Sequence, residues 1–226
     1  MARLRGLLLD LDGTLVDSNG FHLDAWHQAF VELGHRVSRA RIRVEIGKGG
    51  DQLVRDLLGE AVERDDGAAL RSAHDRLFEA RIRHAPLRVF PGAPTLMGLL
   101  RAHDLRTSLA TSSKRRQLAL VERACGVPWR KLVDETTTAS DVEHSKPHPD
   151  LVHAAAHKLG LRPSACALLG DTPWDAQAAR RAGARAIGIS GGGNSPGVLR
   201  RAGAGAVVRD VASLLHRLPR VLAALK

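Results

Sequence analysis

The 226-residue sequence predicts an α/β protein, a doubly wound parallel sheet with an inserted all-helical segment. Three observations carry that prediction. Leu7-Leu8-Leu9, bounded by Gly6 and Gly13, reads as a strand buried on both faces, as strands of parallel sheets are. From Ser18 to about Ala85 the apolar residues repeat only at helical spacing, and beyond Pro86 strand and helix patterns alternate to the C-terminus.

Each element follows from local pattern. Phe21, Ala25, Trp26, Ala29, Phe30 and Leu33 form the apolar stripe of a first helix, with Ser18 or Asn19 as its cap and Gly34 as its stop. Further helices are expected over Arg39–Ile46, Gln52–Val62 and Ala68–His84, separated by Gly47, Gly49 and Gly50 and by Asp65-Asp66-Gly67. Pro86 to Pro94 marks the return to alternation. A helix near Thr95–Ala102, a strand Arg106–Thr111, a helix Arg115–Cys125 and a short strand Lys131–Thr137 follow. Then come a helix Pro149–Leu159, a strand Ala165–Gly170, a helix Asp175–Ala182, a strand Ala186–Ser190 and a closing helix Asp210–Leu225 that covers one sheet face. The expected division is a core of residues 1–17 and 87–226 with a helical cap of residues 18–86.

Composition narrows the function. Lys and Arg number 34 against 24 Asp and Glu, a net charge of +10 that suits phosphate-bearing ligands. Nucleic acid is not expected, because the basic residues are spread along the chain and the aromatics that would stack bases are only 3% with no tyrosine. No apolar run is long enough to span a membrane, and two cysteines far apart, Cys125 and Cys166, read as reduced, buried thiols. A cytoplasmic protein, monomer or homodimer, is the expectation. Gly191-Gly192-Gly193 is assigned no role.

Asp10 and Asp12 stop the first strand at its carboxyl end, where open α/β sheets place their ligand crevice. Carboxylates this close repel, and imply a raised pKa or a neutralising cation. Thr111, Lys146, and Asp171 with Asp175 also fall at or just beyond predicted strand ends. Pro147 and Pro149 stiffen the loop that carries Lys146, and Ser112-Ser113-Lys114 precedes a helix whose free N–H groups can receive a phosphate.

Taken in order, Asp10-Leu-Asp12-Gly-Thr, Ala-Thr111, Lys146-Pro147 and Gly170-Asp171-Thr-x-x-Asp175 resemble the motifs of the haloacid dehalogenase-like superfamily, and the resemblance covers the whole chain. It is similar to the phosphoglycolate phosphatase and β-phosphoglucomutase-like members with a helical cap. The resemblance implies a Rossmann-like core and a Mg²⁺-dependent phosphatase of a small phosphorylated metabolite. Asp10 would be the nucleophile and Asp12 the general acid and base, with Thr111, Ser112 and Lys146 on the phosphoryl oxygens. Mg²⁺ would be held by Asp10, the Asp12 carbonyl and Asp171, with Asp175 orienting a water. His22, with Trp26, and the Gly47-Lys48-Gly49-Gly50 loop resemble cap positions that approach the substrate. Arg76, Arg81 and Arg83, with Lys48, are candidates for specificity.

The alternative is a phosphosugar mutase. Thr14, where the resembling mutases more often carry Val, and Gly50, where they place a charged residue, favour the phosphatase. Asp12 argues against dehalogenase and phosphonate-cleaving chemistry. A non-catalytic module using its positive surface is a third reading, opposed by the complete set of strand-end residues.

Overall fold

The computed structural model describes residues 3–225. Six strands form one wholly parallel sheet: β1 (Gly6–Leu9), β4 (Arg106–Ala110), β5 (Glu135–Thr137), β6 (Cys166–Gly170), β7 (Arg185–Ile189) and β8 (Ala206–Val208), in the order β5-β4-β1-β6-β7-β8. The remaining two strands, β2 (Val16–Asp17) and β3 (Arg88–Val89), make a short antiparallel ribbon. The fold class expected from the sequence is the one observed.

The pleat of β1 divides its leucines between two cores. Leu7 and Leu9 pack with Leu109, Leu169 and Ile187 beneath α5 (Ala93–Ala102), α6 (Arg115–Cys125) and α11 (Val211–Ala224). Leu8 packs on the opposite face with Leu168 and Ala186, beneath α8 (Asp150–Lys158), α9 (Pro173–Arg181) and α10 (Pro196–Ala202). All three leucines are fully buried, each contributing about 1.5–3 kcal/mol of transfer free energy.

Between β2 and β3 run α1 (Asn19–Glu32), α2 (Arg39–Glu45), α3 (Gly50–Leu58) and α4 (Glu60–His84). They share a third core in which Trp26, Phe30, Ile42, Leu53, Val54 and Leu70 are buried. No helix among the described residues is long and apolar enough to cross a membrane.

Several boundaries differ from the sequence expectation. Asp65-Asp66-Gly67 does not break the helix: α4 runs through it, and Gly67 is buried where a Cβ would come within 2.5 Å of Glu63 Oε2. The break falls at Gly59, whose φ of +89° favours glycine, so Gln52–Val62 is two helices. Lys131–Thr137 is not all strand, because Trp129, fully buried, anchors a one-turn α7 (Trp129–Leu132) before β5. Both α10 and β8 were hidden among glycines 191, 192, 193, 197, 203 and 205. Cys166 is buried as expected, whereas Cys125 is only half-buried.

Candidate active site

Strand order reverses direction around β1, which lies between β4 and β6, so its carboxyl end is the topological switch point where doubly wound sheets open a crevice. Asp10 follows β1, Thr111 follows β4 and Asp171 follows β6. Lys146 reaches the same place from the loop before α8. Its Nζ donates to Asp10 Oδ1 and to Asp175 Oδ1, both at 2.7 Å, with the side chain 1% exposed. Burial alone would lower this lysine's pKa, but the two carboxylates raise it, so the ammonium stays charged.

The acids are fixed from behind. Asp175 Oδ2 accepts from the Thr172 hydroxyl at 2.6 Å and from the Thr172 N–H at 3.1 Å, the capping box of α9. Asp171 accepts from Thr14 Oγ1 at 3.1 Å and Asn19 Nδ2 at 2.9 Å, and its carbonyl accepts from Asn194 Nδ2 at 3.1 Å. Gly13 (φ +75°) and Gly192 flank it closely: a Cβ would come within 2.4 Å and 2.2 Å of Asp171 Oδ2. The glycine stretch to which the sequence assigned no role thus packs against this carboxylate.

Asp10, Asp171 and Asp175 offer carboxylate oxygens within 4.8 Å of one another. Burial and the neighbouring carboxylate of Asp175 push Asp171 up to about 8, and Asp10 is also raised, by burial and by Asp175, Asp171 and Asp12, against the pull of Lys146. One ammonium does not balance these charges. The all-oxygen donor set and its excess negative charge fit a hard divalent cation such as Mg²⁺. The Asp12 carboxylate is not one of this cluster.

Asp12 turns instead toward the helices. Ser18 Oγ donates to its Oδ1 at 2.6 Å and Ser113 Oγ to its Oδ2 at 2.9 Å, while His22 Nε2 lies 3.3 Å from Oδ1. Burial would raise this carboxyl, but His22, Ser18 and Ser113 hold it well below the usual range. Ser18 therefore does not cap α1 with its side chain. Behind His22, polar contacts continue to His74 Nε2 (3.2 Å from His22 Nδ1) and from His74 Nδ1 to Asp75 (3.1 Å). Asp75 in turn accepts from Lys114 Nζ at 3.0 Å and Gln117 Nε2 at 2.8 Å, at the start of α6. Burial lowers His74 to about 4, and Phe78 stacks on His22 with ring centroids 4.0 Å apart.

A cavity of about 280 Å³ opens over Asp10 and Asp12. His22, Gly47, Lys48, Ser112 and Lys146 all line it. Thr111 lies fully buried beneath, its hydroxyl accepting the Ser113 N–H at 3.0 Å. The Gly47–Gly50 loop sits against the crevice. A Cβ on Gly47 (φ +98°) would meet Thr172 Cγ2 at 2.5 Å, and one on Gly49 would meet Ser145 Cβ at 2.1 Å. Lys48 Nζ is 3.9 Å from the Trp174 ring centroid and pairs with Glu45 and Asp56. Arg76, Arg81 and Arg83 turn to Glu32, Gln28 and Glu79, and Arg71 lines the cavity in their place. His74 and Asp75 were not identified from sequence, where adjacent His-Asp on one helix was the only local signal, and Asn19 and Ser113 were read only as parts of helix starts.

Comparison with known proteins follows the same lines. The family model of haloacid dehalogenase-like hydrolases matches residues 4–183. "Probable phosphatase IndB" of Dickeya dadantii is 31% identical over 188 residues, covering 82% of this chain and 81% of that one. Phosphoglycolate phosphatase of Escherichia coli (strain K12) is 29% identical over 212 residues, covering 84% and 83%. A crystal structure of a hydrolase from Pseudomonas syringae superposes with a TM-score of 0.87 at 31% identity, covering 96% of this chain and 98% of that one.

Proposed function

The chain belongs to the haloacid dehalogenase-like hydrolases, and from that premise we propose that it is a Mg²⁺-dependent phosphatase of a small phosphomonoester, working through an aspartyl-phosphate on Asp10. The observation that carries the reading is the contrast between two aspartates one residue apart. Asp10 shares its lysine with a carboxylate cluster, while Asp12 is held by hydroxyls and a histidine from the other side.

In this reading, Asp10, the Asp12 carbonyl and Asp171 would hold the metal, with Asp175 beside them to orient a water. Bound there, Mg²⁺ supplies positive charge that lets a carboxylate approach a phosphate dianion. Asp10 attacks phosphorus, and the bond to the alcohol oxygen breaks as Asp12, protonated when the phosphate dianion binds beside it and offsets the pull of His22, Ser18 and Ser113, donates that proton to the oxygen. Asp12, now ionised as its hydrogen bonds favour, takes a proton from water as that water displaces Asp10 from phosphorus. Lys146, Ser112 and the N–H groups ahead of α6 meet the phosphoryl oxygens, and Thr111 braces that turn.

Residues 18–86 would act as the cap and residues 1–17 with 87–226 as the core, the β2–β3 ribbon joining them. With the Gly47–Gly50 loop against Thr172 and Ser145, the cavity excludes bulk water during transfer.

Hydrolysis of p-nitrophenyl phosphate tests the reading. Turnover should require Mg²⁺, stop in EDTA, and vanish in Asp10→Asn while the far-ultraviolet spectrum is retained. Turnover at the full rate in excess EDTA, or in Asp10→Asn, would overturn it.

A further inference from the structure

The cavity above Asp10 contains more charge than the proposed chemistry uses, and the pairing of that charge is uneven. Away from the reacting carboxylates and Lys146, three cations line it: Lys48, Arg71 and Lys114. Each is already matched inside the protein. Lys48 pairs with Glu45 and Asp56, Arg71 with Glu63, and Lys114 with Asp75 at 3.0 Å.

Two acids on the same walls have no cationic partner among the described residues. Asp51, in the first turn of α3, accepts only from the Gln52 side chain, at 2.8 Å. Glu143 is exposed and has no hydrogen bond or ion pair. They belong to the two chain segments that meet where Gly49 packs on Ser145, and both line the cavity.

Resting on the phosphatase reading, we infer that the leaving group of the substrate carries no second anion and presents hydroxyl or amine donors to Asp51 and Glu143. A second carboxylate or phosphate would meet two carboxylates without a cationic partner and, among the described lining residues beyond Lys146, no unpaired Lys or Arg, and a short-range like-charge pair costs affinity even when solvated. A polyol or an aminoalcohol instead supplies donors to Glu143, which has no protein partner, and to Asp51, which has only the Gln52 amide. The neutral or cationic class is therefore the one the wall is built to accept.

The test compares kcat/KM for glycerol phosphate and phosphoethanolamine with that for phosphoglycolate, the anionic member of the panel. The wild type should favour the first two by about tenfold or more, the scale of one near charge–charge contact. In the double variant Asp51→Asn, Glu143→Gln, which keeps shape and hydrogen bonding but removes charge, that ratio should fall by about tenfold. A purely structural role for these residues would lower all three values together and leave the ratio alone.

Preference for phosphoglycolate in the wild type, or an unchanged ratio in the double variant, would overturn the inference. Binding to Asp10→Asn, measured by calorimetry in Mg²⁺, gives the same ordering without turnover. Failure to hydrolyse even p-nitrophenyl phosphate would thus refute the phosphatase reading alone, while the binding order still decides the substrate class.

Discussion

Replacing Lys146 with methionine removes one ammonium from between two buried carboxylates while nearly preserving its volume. The lysine is 1% exposed and donates at 2.7 Å to both Asp10 and Asp175, so no water takes its place without rearrangement. Deleting one partner of such a buried ion pair costs about 3–5 kcal/mol. Asp175 retains its bonds from Thr172, and Asp10 has a raised pKa and can take up a proton, so the lower end, about 3 kcal/mol, is expected. At about 2–4 °C per kcal/mol for a chain of this size, the melting temperature in EDTA should drop by roughly 6–12 °C. Mg²⁺ should then raise it by more than in the wild type, because the variant leaves a more negative cluster for the ion to neutralise. Calorimetric melts with EDTA and with Mg²⁺ provide the assay. A variant melting within about 2 °C of the wild type in EDTA, or gaining no more from Mg²⁺, would refute the charge balance drawn here.

Other substitutions probe the surroundings. Gly192→Ala should weaken Mg²⁺ binding and cost about 1–3 kcal/mol, since its Cβ would come within 2.2 Å of Asp171 Oδ2; unchanged Mg²⁺ affinity would show that the glycine stretch does not brace the carboxylate. His74→Phe, which keeps the stack on Trp26 but removes both polar contacts, should lower kcat by about tenfold with little change in KM, and an equal kcat would exclude a positioning role for the chain from Asp12 to Asp75. Burial raises the Cys166 thiol to about 11, so at pH 8 it stays protonated and should react with a maleimide only after unfolding; rapid labelling of the native protein would contradict that burial.

How much of this was legible in the sequence depends on the range of the interaction. Arg115–Cys125 was read with its observed bounds because Leu118 and Val121 set a helical stripe that the packed structure uses directly. Lys146 was legible as a positioned residue through the prolines beside it. The Asp65-Asp66-Gly67 misreading has the opposite cause: a glycine that looks like a breaker is held in α4, with Glu63 lying against its open face. The contacts of Asp12 with Ser18, His22 and, through it, His74 join α1 to α4 across 52 residues, and no local pattern encodes such a meeting. The role of Gly192 was hidden for the same reason, since its neighbour Asp171 lies on another strand end.

The central claim, hydrolysis of a phosphomonoester at Asp10, is tested most directly by a phosphorus NMR time course. The protein is incubated with Mg²⁺ and a mixed panel of phosphorylated sugars, glycolate-type acids and nucleoside monophosphates. The account predicts growth of the inorganic phosphate signal at the expense of one or more esters, absent in Asp10→Asn. Interconversion of esters without free phosphate would mean a phosphosugar mutase and contradict it.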